Sequence, residues 1–318
     1  MIILKRIFII LLRVLLSAGF LFLVFRQVDE KATLAVIKNV DKPLLFLAFL
    51  IYFFTYFFCF LRWKMLLEAV GIFIPAKRIL TSFSGGIFFN LFLPSAIGGD
   101  FVRTLDLVNH TKKAKDIVAT VFLDRLSGYV GLVILALLAF VYGFKFIRDP
   151  AIIIPIISVT VILVLILLVL FNSFIYSRVN NFLKSPRSGK IREGITSLHK
   201  ELYLFKGRKK LILNNLFLSL LVQSLAPLSF YFVALSLGVK INILYFFIFI
   251  PVIGAITMLP ISIGGLGLRD ASTVFFFAKV GVIKDVAFSM SILSFSFILV
   301  YGILAGIFYI FTIKKSPN

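Results

Sequence analysis

One cysteine, two histidines and one tryptophan in 318 residues leave this chain short of the side chains on which soluble enzymes and metal sites are usually built. Cys59 by itself allows no intrachain disulfide and no cysteine-based metal centre. His110 and His199 lie among lysines in polar stretches, with no ligand partner at metal-binding spacing, and read as solvated surface residues. No metal and no other cofactor is expected. The sequence has no G-x-S-x-G, no G-x-x-x-x-G-K-[ST] and no H-E-x-x-H, so it offers none of the familiar hydrolase, nucleotide-driven pump or zinc-protease signatures. Acidic residues are scarce too: 13 Asp and Glu stand against 34 Lys and Arg, a formal net charge of +21. In a soluble protein that imbalance points to nucleic acid. Here the charge sits mainly in loops beside apolar runs, and no basic face interleaved with aromatics forms. Nucleic acid is not an expected partner; the charge reads as a topology signal and an attraction for anionic lipid headgroups.

What the chain has in excess is apolar surface. It is 61% hydrophobic and holds 39 phenylalanines, where a soluble domain is nearer half apolar. Most of that surface needs lipid as its solvent. The expected fold is an all-α integral membrane protein, with residues 1–318 forming one polytopic membrane domain. Six segments are long enough to cross: Ile7–Phe25, Leu44–Leu61, Thr120–Gly143, Ala151–Phe171, Leu211–Leu235 and Val286–Ile313. The first follows early positive charge and reads as an uncleaved membrane helix. The phenylalanines read as lipid-facing bulk, and Trp63, beside Arg62 and Lys64, as an interface anchor.

Two short interruptions carry the most information. Leu93–Arg103 reads LPSAIGGDFVR and Leu259–Arg269 reads LPISIGGLGLR, both fitting L-P-x-x-I-G-G-x-x-x-R at a constant offset of 166 residues. Pro94 and Pro260 stop a helix, because proline lacks an N–H and restricts the residue before it. Gly98, Gly99, Gly264 and Gly265 then permit a tight turn and close backbone approach. Each copy thus predicts helix, turn, helix, with apolar arms near Ile79–Leu93 and Ile241–Leu259.

Charge decides how these arms lie. The connection 172–210 carries ten Lys and Arg against two Glu and should be cytoplasmic. Lys5, Arg6 and Arg13 place the N-terminus inside, and Lys314 and Lys315 the C-terminus. The stretch Arg26–Lys42, with four basic and three acidic residues, can face outside, and Arg62, Lys64, Lys77 and Arg78 then fall inside. After the first motif, Asp100, Arg103, Asp106, Asn109 and His110 make the chain too polar to cross back against lipid. Repeat one, centred on 79–116, is therefore expected to be a re-entrant hairpin from the cytoplasm. Repeat two, centred on 241–284, should enter and leave from the outside. About six full crossings plus two re-entrant hairpins make an inverted-topology repeat, an architecture common in transporters.

At such tips the helix starts leave free N–H groups and the positive end of a dipole. Asp100 is placed to cap the new helix. Arg103 and Arg269 sit about one turn in and could together cradle a lipid phosphate, to which the guanidinium fork is suited. The competing reading is an ordinary interfacial loop whose arginine snorkels to headgroups; the duplication favours the first. Asp124 and Arg125 either pair locally or help line a path. Arg269 and Asp270 are sequence neighbours and need not pair. Asn90 is placed to satisfy backbone freed at the turn. Gln223, Ser224 and Ser229 around Pro227 read as interhelical glue, and Ser84-Gly85-Gly86 and Gly302-x-x-x-Gly306 permit close helix contact.

The blocks FFNLFLPSAIGGDFVRTLDL, DRLSGYVGLVILALLA and LPISIGGLGLRDASTVFFFAKVGV, in that order, resemble the transmembrane region of lysylphosphatidylglycerol synthases, the flippase part of the bacterial multiple peptide resistance factor. The resemblance covers about Leu44 to the end. It implies a membrane region that moves aminoacylated phospholipid between leaflets, while lysyl transfer from charged tRNA belongs to a separate soluble domain, which this chain is expected to lack. The leading expectation is a stand-alone lipid flippase of a bacterial or archaeal inner membrane, multi-pass with both termini cytoplasmic. A membrane component of a lysyltransferase, or a lipid-binding scaffold for a glycosyltransferase, stays open. Expected partners are membrane phospholipids and a separate synthase or glycosyltransferase.

Overall fold

The computed structural model describes residues 15–93, 98–143, 150–182, 208–257, 262 and 265–313. Lys5, Arg6, Arg13, Pro94, Pro260, Gly264, Lys314 and Lys315 lie outside them. Every regular element among the described residues is a helix: α1 (Leu15–Phe25), α2 (Glu30–Lys38), α3 (Lys42–Ala69), α4 (Ala76–Asn90), α5 (Gly98–Thr111), α6 (Ala114–Gly143), α7 (Pro150–Phe171), α8 (Ser173–Phe182), α9 (Lys209–Ser236), α10 (Ile243–Thr257), α11 (Leu268–Ala278) and α12 (Lys284–Ile313). Four of these, α3, α6, α9 and α12, are long and apolar enough to cross a bilayer. Of the other two expected crossings, the described part of the first falls on α1 and the fourth falls on the 22-residue α7. The basic connection does not begin as a loop, since its first residues form the ten-residue α8 packed on α7.

Local chemistry sets the starts. Asp29 accepts from the Lys31 and Ala32 N–H groups at the head of α2, and Asp41 accepts from Leu44 N–H (3.0 Å) at the head of α3. Pro43 sits in the first turn of α3, where no N–H is needed. The outer faces of the long helices stay apolar: Phe46, Phe53, Phe54 and Phe57 of α3 are all exposed. Lipid is the solvent that accepts such a surface.

Helix lengths repeat along the chain. α3 and α9 each have 28 residues, α4 and α10 each have 15, and α6 and α12 each have 30, with 14 in α5 and 11 in α11. The matched helices α3 and α9 pack side by side and run antiparallel. Asp41 N–H bonds to Ser236 C=O (2.9 Å), Ser229 Oγ to Ala48 C=O (2.8 Å) and Arg62 Nη1 to Ser219 Oγ (3.0 Å), and the Arg208 guanidinium reaches Ala69 C=O. Helix α4 lies on α12 and α10 lies on α6, so the first arm of each helix pair packs on a long helix of the other half.

Both pairs fold back on themselves. α4 and α5 meet at Gly86 and Gly99, where a Cβ on Gly86 would come within 2.9 Å of the Gly99 carbonyl. Lys113 Nζ, just after α5, donates to Gly71 C=O (3.3 Å), just before α4. The α10–α11 pair begins and ends instead near the heads of α2 and α3: Asp29 N–H bonds to Asp285 Oδ1 (2.8 Å) and Lys284 Nζ to Gln27 Oε1 (3.1 Å). The phenylalanines are divided. Phe246, Phe249, Phe276 and Phe277 are buried with Phe230, the Phe246 and Phe277 rings 5.0 Å apart, and are core rather than lipid-facing bulk.

Glycines set the α4–α12 spacing. Gly302 faces Leu91, Gly306 faces Phe88 and Gly85 faces Tyr309, so three of the small residues noted in the sequence form this contact, while Gly86 faces α5. Gly306→Leu is expected to lower stability by about 1–3 kcal/mol through overpacking. Thermal unfolding in detergent, followed by loss of the monodisperse peak, measures it; Phe88→Ala in the same chain should recover part of the loss.

Candidate functional site

Helix α5 opens at Gly98, and Asp100 sits in its first turn rather than capping it from outside. Its carboxylate is engaged by side chains: one oxygen pairs with Arg103 Nη2 (3.0 Å) and the other takes the Arg125 guanidinium. Arg103 is only 5% exposed. It also donates to Asp124 Oδ2 (3.0 Å) and lies over the rings of Trp63 (4.6 Å) and Phe83 (5.8 Å). Asp124 accepts a second guanidinium, Arg62 Nε at 2.7 Å, and Arg62 is anchored on α9 through Ser219. Three arginines and two carboxylates from α3, α5 and α6 thus form one network. Among the described residues its formal charges leave an excess of +1, and the buried Arg103 Nε has no hydrogen-bond partner there. Stacking on aromatic faces offsets part of the cost of burying a guanidinium, but a surplus charge in low dielectric still favours an anion.

A second ion pair closes the base of the hairpin. Arg78 of α4 grips Asp106 of α5 through both carboxylate oxygens (2.7 and 2.9 Å), and Ser82 donates to the same group. The fork geometry suits this bidentate contact.

The other motif copy is built differently. Gly265 and Gly267 take φ of 77° and 76°, in the left-handed region. The Gly267 N–H donates to Asp270 Oδ2 (3.0 Å), and Asp270 Oδ1 accepts from Ser291 Oγ (2.6 Å) and Arg269 Nη2 (2.7 Å). Arg269 lies over the Phe295 ring at 4.4 Å. Here the two formal charges cancel.

Arg103, Asp100, Asp124 and Arg125 are therefore brought together, and Arg269 is not among them. Among the described residues no hydrogen bond or ion pair joins Arg103 and Arg269, whose partners differ: Asp100 and Asp124 for the first, Asp270 and Ser291 for the second. Tyr52, Tyr56 and Cys59 lie on one face of that helix at i, i+4 and i+7. Tyr52 is within electrostatic reach of Arg269, and Cys59 within reach of Arg62, Arg103 and Asp124.

Gly99 is buried against Gly86 and beside Asn90, while Asn90 itself is exposed; Gly98 is the first residue of α5, and Gly265 lies in the turn before α11. Three expectations need correction. Trp63 is not an interface anchor: it is fully buried beneath Arg103, with Nε1 donating to Thr120 (3.3 Å). Arg62 and Arg78 are not loop charges but partners of Asp124 and Asp106. Arg269 and Asp270 do pair, because the acid is held in place by Gly267 and Ser291 and the guanidinium folds back to it. One signal for Arg62 was present. A carboxylate ten residues inside the apolar α6 requires a cation from another helix.

These features define a multi-pass helical membrane protein with ion-paired centres inside its bundle. The chain belongs to the family described as lysylphosphatidylglycerol synthase TM region, which it matches over residues 10–306. It is also similar to the UPF0104 membrane protein PH1989 of Pyrococcus horikoshii, with 24% identity over 287 residues, 82% of this chain and 84% of that protein.

Asp124→Asn leaves Arg62 and Arg103 short of a carboxylate. A loss of about 3–5 kcal/mol is expected, the usual result of breaking a buried pair. Lys64→Gln, which removes only the exposed pair with Glu68 (3.5 Å), should cost under about 1 kcal/mol. Denaturation of the two purified variants side by side checks the difference.

Proposed function

We propose that this chain is a lipid flippase or transporter that moves a phospholipid, anionic or aminoacylated, between the leaflets of a cell membrane. The observation that carries the reading is the excess positive charge, counted among the described residues, of the network of Arg62, Arg103 and Arg125 beside the start of α5, with Arg62 and Arg103 buried and Arg125 partly exposed. An anionic headgroup supplies the missing negative charge, with Arg103 Nε as an available donor. The family description points to aminoacylated phosphatidylglycerol as one cargo class. A separate synthase or glycosyltransferase would then be the source of cargo.

In this reading α3–α6 and α9–α12 are two inverted repeats, and α4–α5 and α10–α11 are re-entrant hairpins. Antiparallel packing of α3 on α9 supports the inversion. Contact of Leu91 with Gly302 supports the depth: Gly302 lies eleven residues before Ile313, about 16 Å by helical rise, near half of a 30 Å hydrocarbon core. The end holding Arg208, Ala69 and Lys113 carries the basic connection, so it faces the cytoplasm, and the end holding α2 faces outside. The headgroup travels between the Arg103 and Arg269 centres along Tyr52 and Tyr56 while the acyl chains stay in lipid. Rocking of one repeat against the other exchanges access.

Reconstitution into vesicles with labelled phospholipids tests this. Arg103→Ala/Arg269→Ala, folded as judged by size exclusion, should slow lipid exchange by about tenfold or more, the factor that about 1.4 kcal/mol of lost headgroup binding produces. Equal rates for the double variant and the parent would refute a transport role for the two centres.

A further inference from the structure

Gly128 of α6 is buried where α3 and α9 both reach it, and its missing side chain leaves a methyl-sized notch. A Cβ there would lie 3.5 Å from Arg62 Nη1, 3.6 Å from Arg62 Nη2 and 3.9 Å from Gln223 Nε2, the three nearest atoms apart from the adjoining backbone of α6. All three are nitrogens that carry hydrogen, and none is an acceptor. Arg62 is 5% exposed. Its Nε goes to Asp124 and its Nη1 to Ser219, while Nη2 has no hydrogen-bond partner among the described residues. Gln223 Nε2 donates to Gly128 C=O (3.0 Å), which turns the amide nitrogen toward the notch, and it carries a second hydrogen. Packing gives no reason for glycine here. An alanine Cβ would make ordinary contacts at these distances, and alanine is the better helix former. Gly131, three residues on, is different: a Cβ there would come within 3.0 Å of the Ser219 backbone.

Gly128 and Gln223 each lie fourteen residues beyond the first residue of their helices, Ala114 and Lys209. That is about 21 Å by helical rise, inside a hydrocarbon core of about 30 Å. At such depth a donor without an acceptor is costly. Asp124 stands one turn before Gly128, and its charge opposes an anion. Both its oxygens are taken, by Arg62 Nε and Arg103 Nη2, and the network keeps its excess of +1 among the described residues.

We infer that the Gly128 notch is an oxygen subsite, in which Arg62 Nη2 and Gln223 Nε2 hold one phosphate oxygen of an anionic headgroup. It rests on the headgroup reading of the arginine network and adds to it a residue of α9, Gln223. Donors without an acceptor turn away an ammonium or a hydroxyl hydrogen and receive an oxygen. Room for one methyl group admits a single oxygen and no bulkier group. The glycine is thus kept for the ligand, and Gln223 binds as well as bridging α9 to α6.

The test titrates the full chain in detergent by calorimetry with dihexanoyl phosphatidylglycerol, dihexanoylglycerol and sodium phosphate. Gly128→Ala should unfold at or above the parent's temperature, since alanine fits and favours the helix. It should nonetheless bind phosphatidylglycerol about tenfold more weakly, the factor set by one charge-assisted hydrogen bond. Gln223→Leu, folded as judged by size exclusion, should weaken binding about fivefold through loss of a neutral donor. Dihexanoylglycerol, which has no phosphate, should not bind. The same loss with sodium phosphate as with the lipid assigns the subsite to phosphate alone; a loss confined to the lipid assigns it to a headgroup. Parent-like affinity for both phosphate probes in Gly128→Ala or in folded Gln223→Leu would overturn the subsite, and a simultaneous loss in Arg103→Ala would leave the arginine reading standing. A parent that binds none of the probes would remove both.

Discussion

Asp124 accepts hydrogen bonds from two arginines on two different helices, Arg62 of α3 and Arg103 of α5, while sitting on a third. Inside an apolar bundle none of these groups can turn to water, so each holds the others in place. Through Arg62 the network reaches Ser219 on α9, and through Asp100 it returns to Arg125 on α6. The first hairpin is thus located by charge as well as by packing. Trp63, Phe83 and Leu107 fill the space beneath it, and the Arg78–Asp106 pair closes its base. Displacing α5 would strand at least one buried ion.

The two halves share helix lengths and packing partners but not charge. In the first, three guanidiniums share two carboxylates. In the second, Arg269 is neutralised by Asp270, which is in turn fixed by Gly267 N–H and Ser291. Matched helix lengths with unequal charge give a bundle with one centre of excess positive charge among the described residues and one balanced centre. If the chain moves lipid as proposed, it needs a site that binds and a site that releases, and unequal centres suit that division.

Much of the backbone plan was readable from the chain. The L-P-x-x-I-G-G-x-x-x-R repeat falls where α4 gives way to α5 and α10 to α11, because proline and paired glycines act locally and their effects do not depend on distant partners. Apolar runs located the long helices for the same reason. Partnership was harder to read. Arg62 and Asp124 are 62 positions apart, and nothing local distinguishes a buried arginine from one that marks a cytoplasmic loop. Trp63 carries the signature of an interface residue, a tryptophan between two basic neighbours, yet the bundle closes over it. Arg269 and Asp270 point apart on an ideal helix; their contact depends on Gly267 at positive φ and on Ser291 from α12. Side-chain pairing is decided by how helices cross, which composition does not encode.

If the repeats are inverted, the two hairpins must begin and end on opposite faces of the membrane. Single cysteines at Lys113 and Lys240, both exposed, in a Cys59→Ser chain measure this directly. An impermeant maleimide is applied to spheroplasts and to inverted vesicles. Lys113→Cys should label only in inverted vesicles and Lys240→Cys only in spheroplasts; labelling of both from the same face would contradict the inverted arrangement.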